Sequence, residues 1–340
     1  MAFEQWAALP WVKSQKDKIQ WGQLTGSALS IAIAEGVKQQ NDLVLIVTPD
    51  TPSALRLETE LEYLLPDNPV MVFPDWETLP YDHFSPHQDI ISARLATLNT
   101  LKNEQQSVLI VPVSTLMLRT APASFIYGST LNFKVGDKLD THNLRSNLEQ
   151  AGYLNVQQVM EHGEYAIRGS IVDLYPMGSV HPFRLDFFDD ELDSIRLFDV
   201  ETQRSDEKVD KIELLPAHEF PTNEADVERF RINYRDKFGA SSEQDSVYMQ
   251  VSKGTWPAGI EYYMPLFFEK LATIFDYLPN TTTVMQLGDL EHAADTFWHD
   301  VNVRYENRKV DPLRPLLAPS ELYQPINELF SNLGEFSRIR

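Results

Sequence analysis

The sequence contains no cysteine among its 340 residues, so it can form neither a disulfide framework nor a thiolate metal site. No apolar run reaches about 18–20 residues, which argues against a membrane-spanning helix. The first residues, MAFEQWAALPWVKSQKDK, lack a basic start followed by an apolar core. We therefore expect no signal peptide, no membrane partner and a cytoplasmic location.

Positive charge is also scarce, because 29 Lys and Arg residues stand against 50 Asp and Glu residues. The formal net charge of −21 disfavours a protein that wraps duplex DNA with its whole surface, although a local basic patch stays possible. The hydrolase elbow G-x-S-x-G and the dinucleotide motif G-x-G-x-x-G are both missing. His83 and His87 lie four residues apart, but the intervening proline favours a polar loop, and we expect no metal site.

Alternating helical and strand patterns fill the first 128 residues. We predict helices over residues 27–38, 51–64 and 90–101, and buried strands over 43–47, 70–73 and 108–113. Thr51 is the expected N-cap of the second helix, with Pro52 in its first turn. This order predicts an α/β domain with a mostly parallel sheet.

The pattern changes near residue 129. Thr141 is expected to cap a helix that ends before Gly152, and strands with a two-residue period then continue to about residue 215. The acidic segment FDDELDS fits a solvated hairpin turn. We predict a small α+β domain at 129–215 that is inserted into the larger fold, with 1–128 and 216–340 forming the two parts of that fold.

Residues 22–30, GQLTGSALS, occupy the place where a phosphate-binding loop would precede a helix. Such a loop ends in G-K-[ST], because its lysine and hydroxyl contact phosphate and magnesium. Ala28, Leu29 and Ser30 stand at those positions. Thr25 and Gly26 keep the expected residue types, as does Ser30. From these residues alone, a plain turn with Ser27 as a helix cap is the favoured alternative.

One face of the middle domain carries arginine beside an aromatic residue. Alternation places Phe183, Leu185 and Phe187 on the core side of a strand and Arg184, Asp186 and Phe188 on the other side. The preceding strand is expected to place Ile167, Gly169 and Ile171 inward, with Arg168 and Ser170 outward. Arg168 and Arg184 would then be neighbours. Arginine and aromatic residues dominate binding hot spots, but cross-strand ion pairs are also common surface decoration.

Several long segments resemble the amino-terminal part of the transcription-repair coupling factors, a bacterial family also called Mfd. They are WETLPYDHFSPHQDIISARLATL, VMEHGEYAIRGSIVDLYPMG, FRLDFFDDELDSIRLFD, LLPAHEFP and SKGTWPAGIEYYMPLFF. That part of the family is similar to UvrB, the damage-verifying helicase of nucleotide excision repair. The resemblance implies a RecA/helicase-like parallel-sheet domain of the UvrB domain 1 type, with an inserted domain.

The resemblance also implies a nucleotide site that has been lost. UvrB carries G-K-T in its loop, so six residues of this chain would form a degenerate Walker A segment: Thr25, Gly26, Ser27, Ala28, Leu29 and Ser30. Asp289 in QLGDLEH would belong to a degenerate Walker B segment, where UvrB has an adjacent Asp-Glu pair. We therefore expect no ATP cofactor. The alternative function is an ATP-dependent DNA helicase or translocase of the UvrB type.

For partners, the resemblance implies UvrA. In the family this domain binds UvrA, and the matching residues here are Arg168, Arg184 and Phe188, with Arg196 and Glu164 as weaker candidates. The expected function is a non-catalytic module that recruits UvrA to stalled transcription. DNA and RNA polymerase would be contacted through the rest of the full-length protein, which is a DNA translocase.

Overall fold

A parallel sheet and an antiparallel-rich sheet organise the chain in the computed structural model, which describes residues 9–12, 16–22, 24–102, 106–139 and 141–340. In chain order the strands are β1 (Lys18–Ile19), β2 (Val44–Thr48), β3 (Val70–Val72), β4 (Val108–Pro112), β5 (Leu131–Lys134), β6 (Leu154–Asn155), β7 (Glu164–Arg168), β8 (Ile171–Leu174), β9 (Phe183–Phe188), β10 (Glu191–Phe198), β11 (Ser205–Val209), β12 (Lys211–Leu214), β13 (Thr283–Gln286) and β14 (Ser337–Ile339). The α-helices are α1 (Ser27–Lys38), α2 (Thr51–Leu64), α3 (Gln88–Thr100), α4 (Val113–Met117), α5 (Ala123–Gly128), α6 (Thr141–Gln150), α7 (Glu224–Phe238), α8 (Val247–Ser252), α9 (Leu290–Arg308), α10 (Pro319–Leu322) and α11 (Ile326–Gly334).

The first sheet has six parallel strands in the order β1-β14-β13-β2-β4-β3. Every residue of β2 and β4 is buried, as expected for central strands that are covered on both faces. Helices α1 and α2 pack on one face, against Val44 and Ile46. Helices α3 and α9 contribute to the core on the other face, where Leu45 and Val47 point. The expected α/β, RecA-like architecture is therefore confirmed.

Helix boundaries in this unit follow the sequence closely, but one cap does not. Helices α1 and α2 span the predicted residues. The N-cap of α2 is Asp50, whose carboxylate accepts a hydrogen bond from the backbone N–H of Ser53 at 2.7 Å. The prediction of Thr51 as the cap was wrong, because the helix already includes Thr51. The cap predicted for α6 falls on Thr141, whose side chain lies outside the described part of the chain.

The inserted unit contains a second six-stranded sheet in the order β11-β10-β9-β8-β7-β6. Strands β7 to β11 pair antiparallel with their neighbours, whereas β6 pairs parallel with β7. Strands β5 and β12, which lead into and out of this unit, pair with each other through Leu131 opposite Leu214. The chain thus leaves and re-enters the larger fold at one place, which is the geometry of an insertion.

A buried ion pair lies where the chain returns from the insertion. Arg94 of α3 donates from Nε to Glu219 Oε1 at 2.9 Å, and both side chains are fully buried. The indole Nε1 of Trp76 donates to the other Glu219 oxygen at 2.8 Å. Because a buried carboxylate is costly unless its partners are fixed, this cluster ties the returning segment to the parallel-sheet unit.

Candidate functional site

Strand β9 separates a buried side from an exposed side, as its alternation predicts. Leu185 and Phe187 are buried in the main core, whereas Phe188 is 76% exposed. Arg184 and Asp186 lie on the same side as Phe188 and are partly covered. We call this side the outer face of the inserted sheet.

A tight turn changes the predicted alternation in the neighbouring hairpin. Gly169 has φ of +62° and lies with Ser170 between β7 and β8, so the two strands are joined by a two-residue turn. The inward placement predicted for Gly169 was wrong, since it is an exposed turn residue. Ile171 was also placed wrongly, because it pairs with Asp186 and therefore lies on the outer face. Arg168 is exposed, as predicted.

Asp173 joins the two arginines that the sequence analysis singled out. It lies on β8 directly opposite Arg184. Arg184 donates from Nε to Asp173 Oδ1 at 2.6 Å and from Nη2 to Asp173 Oδ2 at 2.9 Å. Arg168 donates from Nη2 to the same Oδ2 at 3.3 Å. Arg168 and Arg184 are thus linked through one shared carboxylate, which strand alternation alone did not identify.

The weaker candidates occupy different positions on this face. Arg196 lies opposite Arg184 on β10, with its Nε 3.8 Å from Asp186 Oδ2. Glu164 lies at the start of β7, where Oε2 accepts hydrogen bonds from the backbone N–H groups of Met160 at 2.7 Å and Glu161 at 2.9 Å. The Glu164 carboxylate thus holds the loop before β7, some distance along the strand from Arg168.

Phe188 ends β9 at the tip of a hairpin. Asp189 has φ of +53° and lies with Asp190 between β9 and β10, which confirms the solvated acidic turn predicted for FDDELDS. The turn leaves the phenyl ring of Phe188 facing solvent, although burying such a ring is favourable by about 1.5–3 kcal/mol. The outer face therefore carries an exposed aromatic ring at the end of β9 and, further along the same face, a cluster of charged side chains.

The proposed nucleotide segment begins helix α1. The N-cap is Gly26, with φ of +57°, and among the described residues no side chain caps the helix. The interpretation of Ser27 as a cap was wrong, because Ser27 is the first helical residue. Ser30 is buried and donates from Oγ to the Ser27 carbonyl at 3.0 Å. Leu29 packs against the apolar cluster between α1 and the sheet, while Thr25 is exposed and Ala28 is half-buried.

Asp289 has a structural contact of its own. It is the N-cap of α9, and its Oδ1 accepts a hydrogen bond from the His292 backbone N–H at 3.0 Å. In the sheet, β14 separates β13, which precedes Asp289, from β1, which precedes the Thr25 segment.

The histidines considered as metal ligands, His83 and His87, have other roles in the described part of the chain. His87 accepts a hydrogen bond from the Asp89 backbone N–H and caps α3, and His83 is exposed. No group of three His, Asp or Glu side chains among the described residues is placed to hold a metal ion. Within the same residues, no helix is long and apolar enough to cross a bilayer.

Comparison with known proteins identifies the region that contains this face. Residues 131–220 match the family described as the UvrB interaction domain. The chain is 52% identical to the transcription-repair-coupling factor of Escherichia coli over 320 residues, and 49% identical to that of Haemophilus influenzae over 319 residues. It is 26% identical to the Bacillus subtilis transcription-repair-coupling factor over 322 residues.

These alignments cover 94% of the present chain for the first two relatives and 91% for the third. The chain spans only 28% of the length of the E. coli and H. influenzae proteins, and 27% of the B. subtilis protein. The resemblance inferred from the sequence segments is confirmed.

Proposed function

Because this chain is homologous over most of its length to part of the transcription-repair-coupling factors, and because residues 131–220 match a UvrB interaction domain, we propose that it is a protein-interaction module that binds UvrA. The outer face of the inserted sheet is the binding surface. In the intact protein this module recruits UvrA to stalled transcription in the cytoplasm, while DNA and RNA polymerase are bound by other parts.

The observation that carries the proposal is the exposure of Phe188 on the same face of β9 as Arg184. Isolated apolar residues on a protein surface are ordinary, but here a ring that is 76% exposed ends the strand that holds Arg184. Interface hot spots are enriched in aromatic and arginine side chains that a partner shields from water. The outer face therefore offers an apolar anchor, Phe188, and the exposed guanidinium group of Arg168 to an acidic partner surface.

Titration of purified UvrA against this chain tests the proposal. We expect Phe188→Ala to weaken binding about 30-fold, corresponding to ~2 kcal/mol, because the anchor is lost while the exposed position leaves the fold intact. Tyr63→Ala is the matched control, since Tyr63 on α2 is 87% exposed and lies outside the inserted sheet. Equal affinity of wild type and Phe188→Ala would contradict the proposal.

We further propose that the segment from Thr25 to Ser30 does not bind ATP and that the chain does not hydrolyse it. The buried Ser30 hydroxyl is used within α1, and the Leu29 side chain contributes to packing where a phosphate loop has its lysine. Asp289 is exposed and caps α9. These contacts support loss of the site and disfavour the alternative of an ATP-dependent helicase.

A phosphate-release assay with magnesium and ATP tests this second proposal. We expect purified wild-type chain to release phosphate at the background rate, and Leu29→Lys to gain no activity, because the remaining contacts of the site are not restored. Steady, magnesium-dependent turnover that follows the protein through purification would favour the helicase alternative instead.

A further inference from the structure

Asp173 is a buried carboxylate on the outer face of the inserted sheet, where Ala166 opposite it and the nearby Phe198 are buried as well. Only 1% of the residue is exposed, although its side chain projects from the outer face. Its two oxygens accept three donors, two from Arg184 and one from Arg168. Because an uncompensated buried charge costs several kcal/mol, the carboxylate holds these guanidinium groups firmly.

Arg184 has no nitrogen to spare for a partner. Its Nε and Nη2 bind Asp173, and its Nη1 donates to the Gln203 carbonyl at 3.1 Å and to Ser205 Oγ at 3.3 Å. The guanidinium carbon lies 5.1 Å from the centre of the Phe198 ring. The pKa of Arg184 is raised, chiefly by the hydrogen bonds to Asp173. With 17% of its side chain exposed, Arg184 is part of the sheet's own packing.

Arg168 is placed differently, although it shares the same carboxylate. Its side chain is 52% exposed, and only Nη2 reaches Asp173. Among the described residues no other acceptor binds its guanidinium group, so the N–H groups of Nε and Nη1 keep donors for a partner. Each of these donors can bind a carboxylate oxygen of a partner.

We propose that Asp173 is a positioning residue of the UvrA-binding face and that Arg184 acts through Asp173, while Arg168 and Phe188 make the contact. This inference rests on the proposed function. It divides the arginines by role: Arg184 neutralises the buried carboxylate, and Arg168 is left free to bind.

If Arg184 acts through Asp173, its removal should weaken UvrA binding even though Arg184 does not itself contact UvrA. Removal of Arg184 leaves the Asp173 carboxylate buried, and within the described part of the chain its remaining side-chain donor is Arg168 at 3.3 Å. The unpaired charge then draws the Arg168 guanidinium inward and withdraws it from the partner. A variant at position 184 therefore loses binding without having touched UvrA.

The decisive comparison uses neutral substitutes of similar shape at the two paired positions. We expect Arg184→Gln and Asp173→Asn each to weaken UvrA binding about tenfold or more, because each leaves one half of the pair without its charge partner. The double variant, with both changes, is expected to return to within about threefold of wild type, since no buried charge is left and the amide oxygen at position 173 can still accept the hydrogen bond from Arg168. A double variant as weak as Arg184→Gln would show that the Arg184 charge contacts UvrA, and would overturn the inference.

The variant Arg168→Gln gives a separate test of the inference, which does not require the Arg184–Asp173 pair to be changed. Since Arg168 is exposed, this variant should melt like wild type in a circular dichroism experiment. We expect it to reduce the salt dependence of the association rate constant with UvrA, because charges at an interface steer encounter. The double variant should keep the wild-type salt dependence if it folds. An unchanged salt dependence in Arg168→Gln would overturn the inference even where the double variant does not fold.

The proposed function and this inference fail in different ways. If wild-type chain does not bind UvrA, the proposed function is wrong and this inference falls with it. If wild type binds, Phe188→Ala weakens binding and the double variant shows no rescue, only the role assigned to Asp173 is wrong.

Discussion

Glu261 is an acid held almost entirely out of water, next to the loop that precedes α3. The Ser85 hydroxyl donates to its Oε2 at 2.7 Å. Burial, with a smaller contribution from the charge of Glu219, raises the pKa of Glu261 from an ordinary value of 4.5 to about 7. The folded chain therefore binds this proton more tightly than the unfolded chain. The resulting stability is fully present below pH 4.5 and is lost as the pH rises towards 7.

Glu261→Gln should remove this pH dependence. The amide cannot ionise, so we expect the variant to gain stability relative to wild type as the pH rises from 4.5 to 8, by about 1–3 kcal/mol in all. Burial lowers the pKa of His218 to about 4, which gives stability the opposite trend at acid pH, so the difference between variant and wild type isolates Glu261. Urea unfolding at several pH values measures it. A constant difference across the range would show that Glu261 does not titrate in the folded chain.

At the level of single residues, strand alternation was enough to place Phe188 outside and Leu185 inside. It could not identify Asp173, because the strand IVDL looks like a buried apolar strand with one exception. Asp173 is that exception, and it could have indicated a buried ion pair, since an acid inside an apolar strand needs a partner. Finding Arg184 as this partner required the register between β8 and β9, which depends on the turns.

The role of Asp289 follows from its position at the start of helix α9. Asp289 resembles the remnant of a magnesium-binding carboxylate in sequence, but in the structure it caps α9. Helix N-caps are generally occupied by Asp, Asn, Ser or Thr, because a short side chain can accept a hydrogen bond from a free backbone N–H.

Substitution at Asp289 distinguishes the two roles. We expect Asp289→Ala to lower the free energy of unfolding by about 1 kcal/mol, because the His292 N–H loses its acceptor. Asp289→Asn should unfold within a few tenths of a kcal/mol of wild type, since asparagine caps equally well. Chemical denaturation of the three proteins is the measurement. Equal loss in both variants would indicate that the charge itself matters at this position.

Helices and strands with a clear period could be predicted almost to their ends, as α1 and α2 show. The errors fell on the connections. The alternation looked continuous through Gly169 and Ser170, but these residues form a two-residue turn. The φ of +62° at Gly169, directly after β7, cannot be read from the spacing of apolar residues. The cap at Asp50 was missed because two neighbouring residues, Asp50 and Thr51, are both good N-caps.

At the scale of the whole molecule, the insertion depends on contacts between distant parts of the sequence. Strand β5 pairs with β12, and Arg94 binds Glu219 across 125 positions. No local pattern encodes such pairs, so the sequence suggested the inserted domain without showing how it is closed. Its predicted limits, 129–215, stay a prediction beside the matched region of 131–220.

Hydrogen exchange of the whole chain, alone and with UvrA, tests the central claim most directly. The turns at Gly169–Ser170 and Asp189–Asp190 lie beside Arg168 and Phe188 and are exposed, so their amides should exchange rapidly in the free chain. We predict that UvrA slows exchange at both turns and leaves the exposed end of α2 near Tyr63 unchanged. Slowed exchange confined to the parallel-sheet unit, with both turns unaffected, would contradict the account.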